Sequence, residues 1–165
     1  MRAAPHEGTH ETNGFASASP CTDGERVYAH FGSRGLFCFT RAGEPLWQRD
    51  FGDMRIRNGF GEGSSPTLAG DLLIVPWDQE QDSRLFAVDR LTGQTVWETP
   101  RDEPTCWATP LLATDGTGLR QVVMNGQTAA RGYDLATGRE LWRCGGQTQR
   151  PCASAVAADG IAWVT

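Results

Sequence analysis

Residues 72–77, LLIVPW, form an apolar run too short for a helix and rich in strand formers. A polar stretch, DQEQD at 78–82, separates it from RLFAVDR at 84–90. There Leu85, Ala87 and Asp89 alternate with Phe86 and Val88, the two-residue period of a β-strand. Upstream, SSPTLAG at 64–70 reads as a short strand of small residues that ends in a Gly70-Asp71 turn. Downstream, LTGQ at 91–94 reads as a tight turn, with Gly93 where a positive φ is wanted, and TVWET at 95–99 follows as a further strand. The pattern predicts four short strands joined by turns, and no segment of the chain predicts a helix.

The same phrase recurs. RAGEPLW, RLTGQTVW and LATGRELW end at Trp47, Trp97 and Trp142, and Gly43, Gly93 and Gly138 each precede their tryptophan by four residues. A second marker runs ahead of it: ASASP at 16–20, GSSP at 63–66, WATP at 107–110 and CASA at 152–155, in steps of 46, 44 and 45. Two markers sharing one period identify a repeat. A repeat of about 45 residues holding four strands is the blade of a β-propeller. The predicted fold is therefore all-β, a propeller of four-stranded antiparallel blades. The expected divisions are a polar lead-in at 1–13, blades at 14–50, 51–100 and 101–146, and the start of a fourth at 147–165. About three and a half blades do not close a ring, since typical propellers have roughly four to eight. The sequence thus reads as part of a longer protein or, as a second possibility, one of several copies that complete a ring together.

The repeat positions have physical reasons. Neighbouring blades crowd the channel, so the segments expected as inner strands (ASASP, GEGSSP, CASA) are built of small residues, and Pro20, Pro66 and Pro110 suit positions where no N–H is needed. Each tryptophan offers large apolar area and one donor, fit to wedge against the next blade. Asp89 and Asp134 can accept hydrogen bonds from turn amides, and Thr92 and Thr137 can cap the same turns.

Ala87 to Trp97, AVDRLTGQTVW, resembles the tryptophan-docking motif A-x-D-x-x-T-G-x-x-x-W. GYDLATGRELW, 132–142, matches except that Gly132 stands for Ala, and FCFTRAGEPLW, 37–47, keeps only Gly43 and Trp47. The motif marks the pyrroloquinoline-quinone-like (PQQ-like) repeat proteins. That superfamily spans quinoprotein dehydrogenases, the outer-membrane barrel-assembly lipoprotein and propellers of no known activity. The resemblance runs from about Asn13 onward. It implies the propeller fold, a periplasmic or exported location, and either a rigid scaffold that binds a protein partner or small ligand without a cofactor, or part of an oxidoreductase using PQQ and calcium on alcohols or sugars. The vicinal Cys-Cys pair and haem C-x-x-C-H associated with the dehydrogenases do not occur in this sequence.

Composition narrows the classes further. Hydrophobic residues at 39% fit a globular chain, and a net charge of −5 without a long basic run gives no reason to expect nucleic acid. No apolar run approaches the ~18 residues of a membrane helix. Five scattered cysteines without C-x-x-C argue against a disulfide framework or zinc ribbon.

His6-Glu7-Gly8-Thr9-His10 matches the zinc-protease signature H-E-x-x-H. The chemistry needs both histidines one turn apart on a helix. Gly8 sits in the middle, Asn13-Gly14 ends the segment, and no apolar stripe would bury it. The match reads as a coincidence in a polar lead-in, and a metalloprotease stands as the third alternative. Asp78 to Asp82 lacks the glycine and ligand spacing of an EF-hand and reads as a flexible polar loop. The lead-ins to the inner strands are expected to gather at one end of the channel. There Asn13, Arg57, Asn58, Glu62, Trp107 and Arg150 would form a ligand site, with Arg55, Arg101, Asp102 and Glu103 beside them, or else a solvated rim of paired charges. Trp107 would serve as a stacking platform or as simple packing.

Overall fold

The computed structural model describes residues 8–149 and 152–164. Three four-stranded sheets follow one another: β1 (Cys21–Thr22), β2 (Arg26–His30), β3 (Leu36–Thr40), β4 (Pro45–Arg49); β5 (Thr67–Ala69), β6 (Leu72–Trp77), β7 (Ser83–Asp89), β8 (Thr95–Arg101); and β9 (Leu111–Thr114), β10 (Arg120–Met124), β11 (Ala130–Asp134), β12 (Glu140–Cys144). A two-stranded sheet of β13 (Val156–Ala158) and β14 (Ile161–Trp163) comes after them. Within each sheet sequential strands are neighbours and all pairs are antiparallel, which is the propeller blade. The only helical elements among the described residues are two single 3-10 turns, Gly32–Arg34 and Arg57–Gly59.

The strands of the middle blade bury apolar residues on both faces. Leu73, Val75, Trp77, Phe86 and Val88 pack against Tyr28, Leu36 and Cys38 of the first blade. Their alternate neighbours Ile74, Leu85 and Ala87 pack with Val122, Met124, Tyr133 and Leu135 of the third. The core is thus two interblade layers.

The third and fourth strands repeat one geometry. Trp47, Trp97 and Trp142 lie opposite Cys38, Ala87 and Gly132, with a register shift immediately after each of these small residues. The Trp47 indole N–H donates to Arg90 O (3.2 Å) and that of Trp97 to Leu135 O (3.0 Å), so each tryptophan reaches the turn of the following blade. Those turns are held by one carboxylate. Asp89 Oδ1 accepts from the backbone N–H of Leu91 and Thr92 and from the Thr92 hydroxyl; Asp134 does the same with Ala136 and Thr137.

The inner strands differ from expectation. Residues 16–20, 61–66, 106–110 and 152–155 are not strand, and β1, β5 and β9 begin immediately after Pro20, Pro66 and Pro110. Proline has no N–H for a ladder, and the small polar residues cross-link instead through side chains. Ser19 N–H donates to Ser65 Oγ (2.9 Å), Thr109 N–H to Ser154 Oγ (2.8 Å), and the Thr67 hydroxyl to Pro110 O (2.7 Å), each joining successive repeats. The 78–82 segment is the expected loop between β6 and β7, with Glu80, Gln81 and Asp82 exposed, but its start is turned inward. Asp78 and Gln79 are buried, with Gln79 Oε1 accepting from Arg55 N–H (2.8 Å), because the loop lies against the connection between the first two blades.

Candidate channel-end binding site

Antiparallel order places the connections between blades and the loops between second and third strands at the same end. The residues singled out from sequence are carried there by 8–17, 50–66, 102–110 and 125–129. Their centre is the turn 57–62. Asn58 adopts a left-handed conformation (φ 55°), which Asn tolerates better than most residues. The adjacent Phe60 carbonyl accepts from Asn13 Nδ2 (2.8 Å) and from the Thr9 hydroxyl (3.2 Å). On the other side, the Trp107 indole N–H donates to Gly61 O (2.9 Å), and its ring stands 6.2 Å from that of Phe60. Gly63 lies beside the same indole: a Cβ there would be 3.4 Å from it, about van der Waals contact. Asn13, Asn58 and Trp107 therefore meet around one turn.

Arg57 anchors the same turn to the 78–82 loop of the second blade and to the third blade. Its N–H donates to Thr105 Oγ1 (3.0 Å), its guanidinium to Gln127 Oε1 (3.1 Å), and its Nε lies 3.7 Å from Glu80 Oε1. Glu80 in turn accepts from Thr105 N–H (3.1 Å). Arg55, Arg57, Asn58, Gly59, Glu80 and Gly8 line an open depression of about 550 Å³. Arg55 and Asn58 are exposed and Arg57 half-exposed there. Glu80, Thr105 and Gln127 were missed by the sequence reading; the signal that could have found them is topological, since second-to-third-strand loops share the end of the interblade connections.

Other expected rim groups are turned inward. The Glu62 carboxylate accepts from Ser33 N–H (2.7 Å) and from the Ser33 hydroxyl. Arg101 is buried and donates twice to Asp78 (2.7 and 3.1 Å) and once to the Tyr133 hydroxyl (2.6 Å). Glu103 is buried against Arg131 and accepts from Thr128 N–H (2.8 Å). So Arg101 and Glu103 are not rim charges but halves of buried ion pairs: buried charges persist only when paired. Asp102 stays exposed. Arg150, His6 and Glu7 lie outside the described residues. Residues 8–10 are not helical, and the His10 ring packs edge-on to Phe60 at 5.7 Å.

Two titratable groups near this end are shifted by burial. Burial pushes the Cys106 thiol up to about 12 and the His30 imidazole down to about 4. A calcium-bound quinone needs several oxygen ligands converging on one ion. Among the described residues no group of three or more His, Cys, Asp or Glu could hold a metal, and the Glu62 and Glu80 carboxylates are engaged as above. The described donor set does not fit a calcium-held quinone. What it does offer is a fixed polar surface with two guanidinium groups, an amide and an indole edge.

The pattern of the family described as outer membrane protein assembly factor BamB matches residues 32–162. No curated protein matches the sequence. Solved structures similar in fold include BamB from Moraxella catarrhalis (TM-score 0.60, 19% identity, covering 87% of this chain and 41% of that one). They also include the quinohemoprotein alcohol dehydrogenase from Comamonas testosteroni (0.61, 12%, 87% and 30%) and a europium-containing methanol dehydrogenase (0.57, 17%, 78% and 24%). The chain spans less than half the length of each.

Proposed function

Because this chain belongs to the family of the outer membrane protein assembly factor BamB, we propose that it is a non-catalytic propeller scaffold that binds a partner at the channel-end depression. The observation that carries this reading is the division of labour among charges at that end. Glu62, Asp78, Arg101 and Glu103 are consumed by internal contacts, while Arg55 and Asn58 stand exposed at an open depression and Arg57, tied to Gln127 and beside Glu80, stays half-exposed there. Two guanidinium groups beside an amide favour a partner that presents carboxylates. An exported location belongs to the same reading and rests on the family.

The test is a titration of the isotopically labelled chain, followed by NMR, with hexaglutamate as the acidic probe. Saturable shifts at 55–59 and at Gly8–Asn13, lost in Arg55→Ala/Arg57→Ala, support the reading. No response to the probe, or a response that survives the double substitution, overturns it. The alternative is part of a quinone-dependent oxidoreductase. It draws on the likeness to two dehydrogenases and on the half-exposed indole of Trp107. Its ion cage would come from outside the described residues. Saturable binding of pyrroloquinoline quinone with calcium, abolished by Trp107→Ala, would favour it.

A further inference from the structure

His30 Nε2 is a buried polar atom that no described residue hydrogen-bonds. The residue is 4% exposed and ends strand β2 of the first blade. Its other ring nitrogen settles the tautomer. Nδ1 lies 3.3 Å from Ser64 O, and a carbonyl only accepts, so Nδ1 carries the proton. The ring is neutral at pH 7, since burial lowers its pKa to about 4. Nε2 therefore presents a bare lone pair, which needs a donor.

His30 lines a cavity of about 10 Å³ together with Glu62, Ser64, Asp78, Cys106, Trp107 and a few apolar groups. The first blade, the 50–66 connection, the second blade and the lead-in to the third meet around it. Its size is at the lower limit for one water molecule and excludes a larger ligand. The polar lining sorts by hydrogen-bond role. Its side-chain donors are spent: the Ser64 hydroxyl donates to Cys106 O (3.1 Å), the Cys106 thiol to Asn125 O (3.3 Å) and the Trp107 indole to Gly61 O (2.9 Å). Its acceptors are not. Glu62 receives the N–H and hydroxyl of Ser33, and Asp78 receives two N–H groups of Arg101. A carboxylate has about four lone-pair positions, so each keeps some in reserve.

The walls thus hold acceptors to spare and no side-chain donor to spare. A species that fills one small sphere and donates to two acceptors is water. A metal ion would also take the Nε2 lone pair, but it needs three or more protein ligands. Among the described residues no group of three or more His, Cys, Asp or Glu could hold one.

We propose that this cavity is the binding site of one ordered water molecule, which donates one hydrogen to His30 Nε2 and the other to the lining carboxylates, Asp78 and Glu62. The water joins the first blade to the second and to the 50–66 connection. It does so where residues 61–66 and 106–110 form no strand ladder. Through Glu62 and Trp107 it adjoins the turn 57–62, as a further brace of that turn and independently of any partner bound there.

The test is NMR on the full isotopically labelled chain at neutral pH. The chain has three histidines, and the exposed His10 ring serves as the solvent reference. The expected result is a water cross peak at the His30 ring protons with opposite signs in laboratory-frame and rotating-frame spectra, as for a water that tumbles with the protein. At His10 the signs should agree. The His30 Nε2 resonance should lie upfield of an unpartnered imidazole nitrogen. The cross peak should survive in Ser64→Ala and in Cys106→Ala, which remove the exchangeable protons that could relay it. Absence of the peak, its loss in either folded variant, or an Nε2 resonance at the unpartnered position overturns the proposal. So does one equivalent of zinc whose removal by a chelator shifts the His30 ring nitrogens.

Discussion

Gly93 lies directly under the indole of Trp47: a Cβ on Gly93 would sit 2.7 Å from Trp47 Cε3, and its backbone has φ +74°. One residue of the second blade is thus constrained twice, by its own turn and by a side chain from the first. Gly138 stands in the same relation to Trp97, 2.5 Å from Cε3 at φ +72°.

Gly93→Ala should therefore destabilise the chain by about 2–4 kcal/mol, the sum of a left-handed backbone penalty and overpacking against a ring. Gly116→Ala, where nothing lies within 4 Å, should stay within about 0.5 kcal/mol of the parent. Urea unfolding of both variants checks the contrast; equal effects would refute the contact.

The Asp89 turn has a pH signature. Hydrogen bonds from the Thr92 hydroxyl and backbone hold its carboxyl below the usual range. Its contribution is full above the unfolded value near 3.9 and is lost as pH falls through the lower folded value. Asp89→Ala should cost about 1–2 kcal/mol at neutral pH, with the gap to the parent closing in strong acid. Chemical unfolding at pH 7 and in the acid range measures this.

His30 acts in a different window. It is buried and its Nδ1 donates to Ser64 O at 3.3 Å, while burial lowers its folded value to about 4 against an ordinary 6.5. The unfolded chain takes the proton first. Stability from this group is complete above about pH 6.5 and is lost as pH falls towards 4, by about 3 kcal/mol. His30→Gln should flatten the pH dependence of the unfolding midpoint between these limits. A slope that persists in the variant would assign it to another group.

Arg101 and Asp78 form a buried pair whose halves need each other. Arg101→Met should cost about 3–5 kcal/mol, because it leaves an uncompensated carboxylate whose pKa burial already raises. Asp78→Asn added to Arg101→Met should recover a large part of that loss. A double-mutant cycle at neutral pH reads the coupling; additive losses would show that the pair is not the source.

Much of this was legible along the chain. The Asp-x-x-Thr-Gly turns, the tryptophan opposite a small residue, and the strand periodicity are local relations within one repeat, and their recurrence from Trp47 to Trp142 exposes the propeller. Asn13, Asn58 and Trp107 were placed at one end because strand order dictates which loops gather there. The inner strands were read too early: Ser19, Ser65 and Ser154 look like strand residues until the prolines after Ser19 and Ser65 and the cross-repeat hydroxyl contacts are considered together. Repeat geometry, turn chemistry and strand periodicity were determined by sequence alone, because each rests on the φ preferences and side-chain direction of residues close together in the chain. Which rim charges face outward was decided only by the tertiary structure. Arg101 finds Asp78, Glu103 finds Arg131 and Glu62 finds Ser33 across separations of 20 to 30 residues, and a charge chooses between water and a partner only when packing has removed the water.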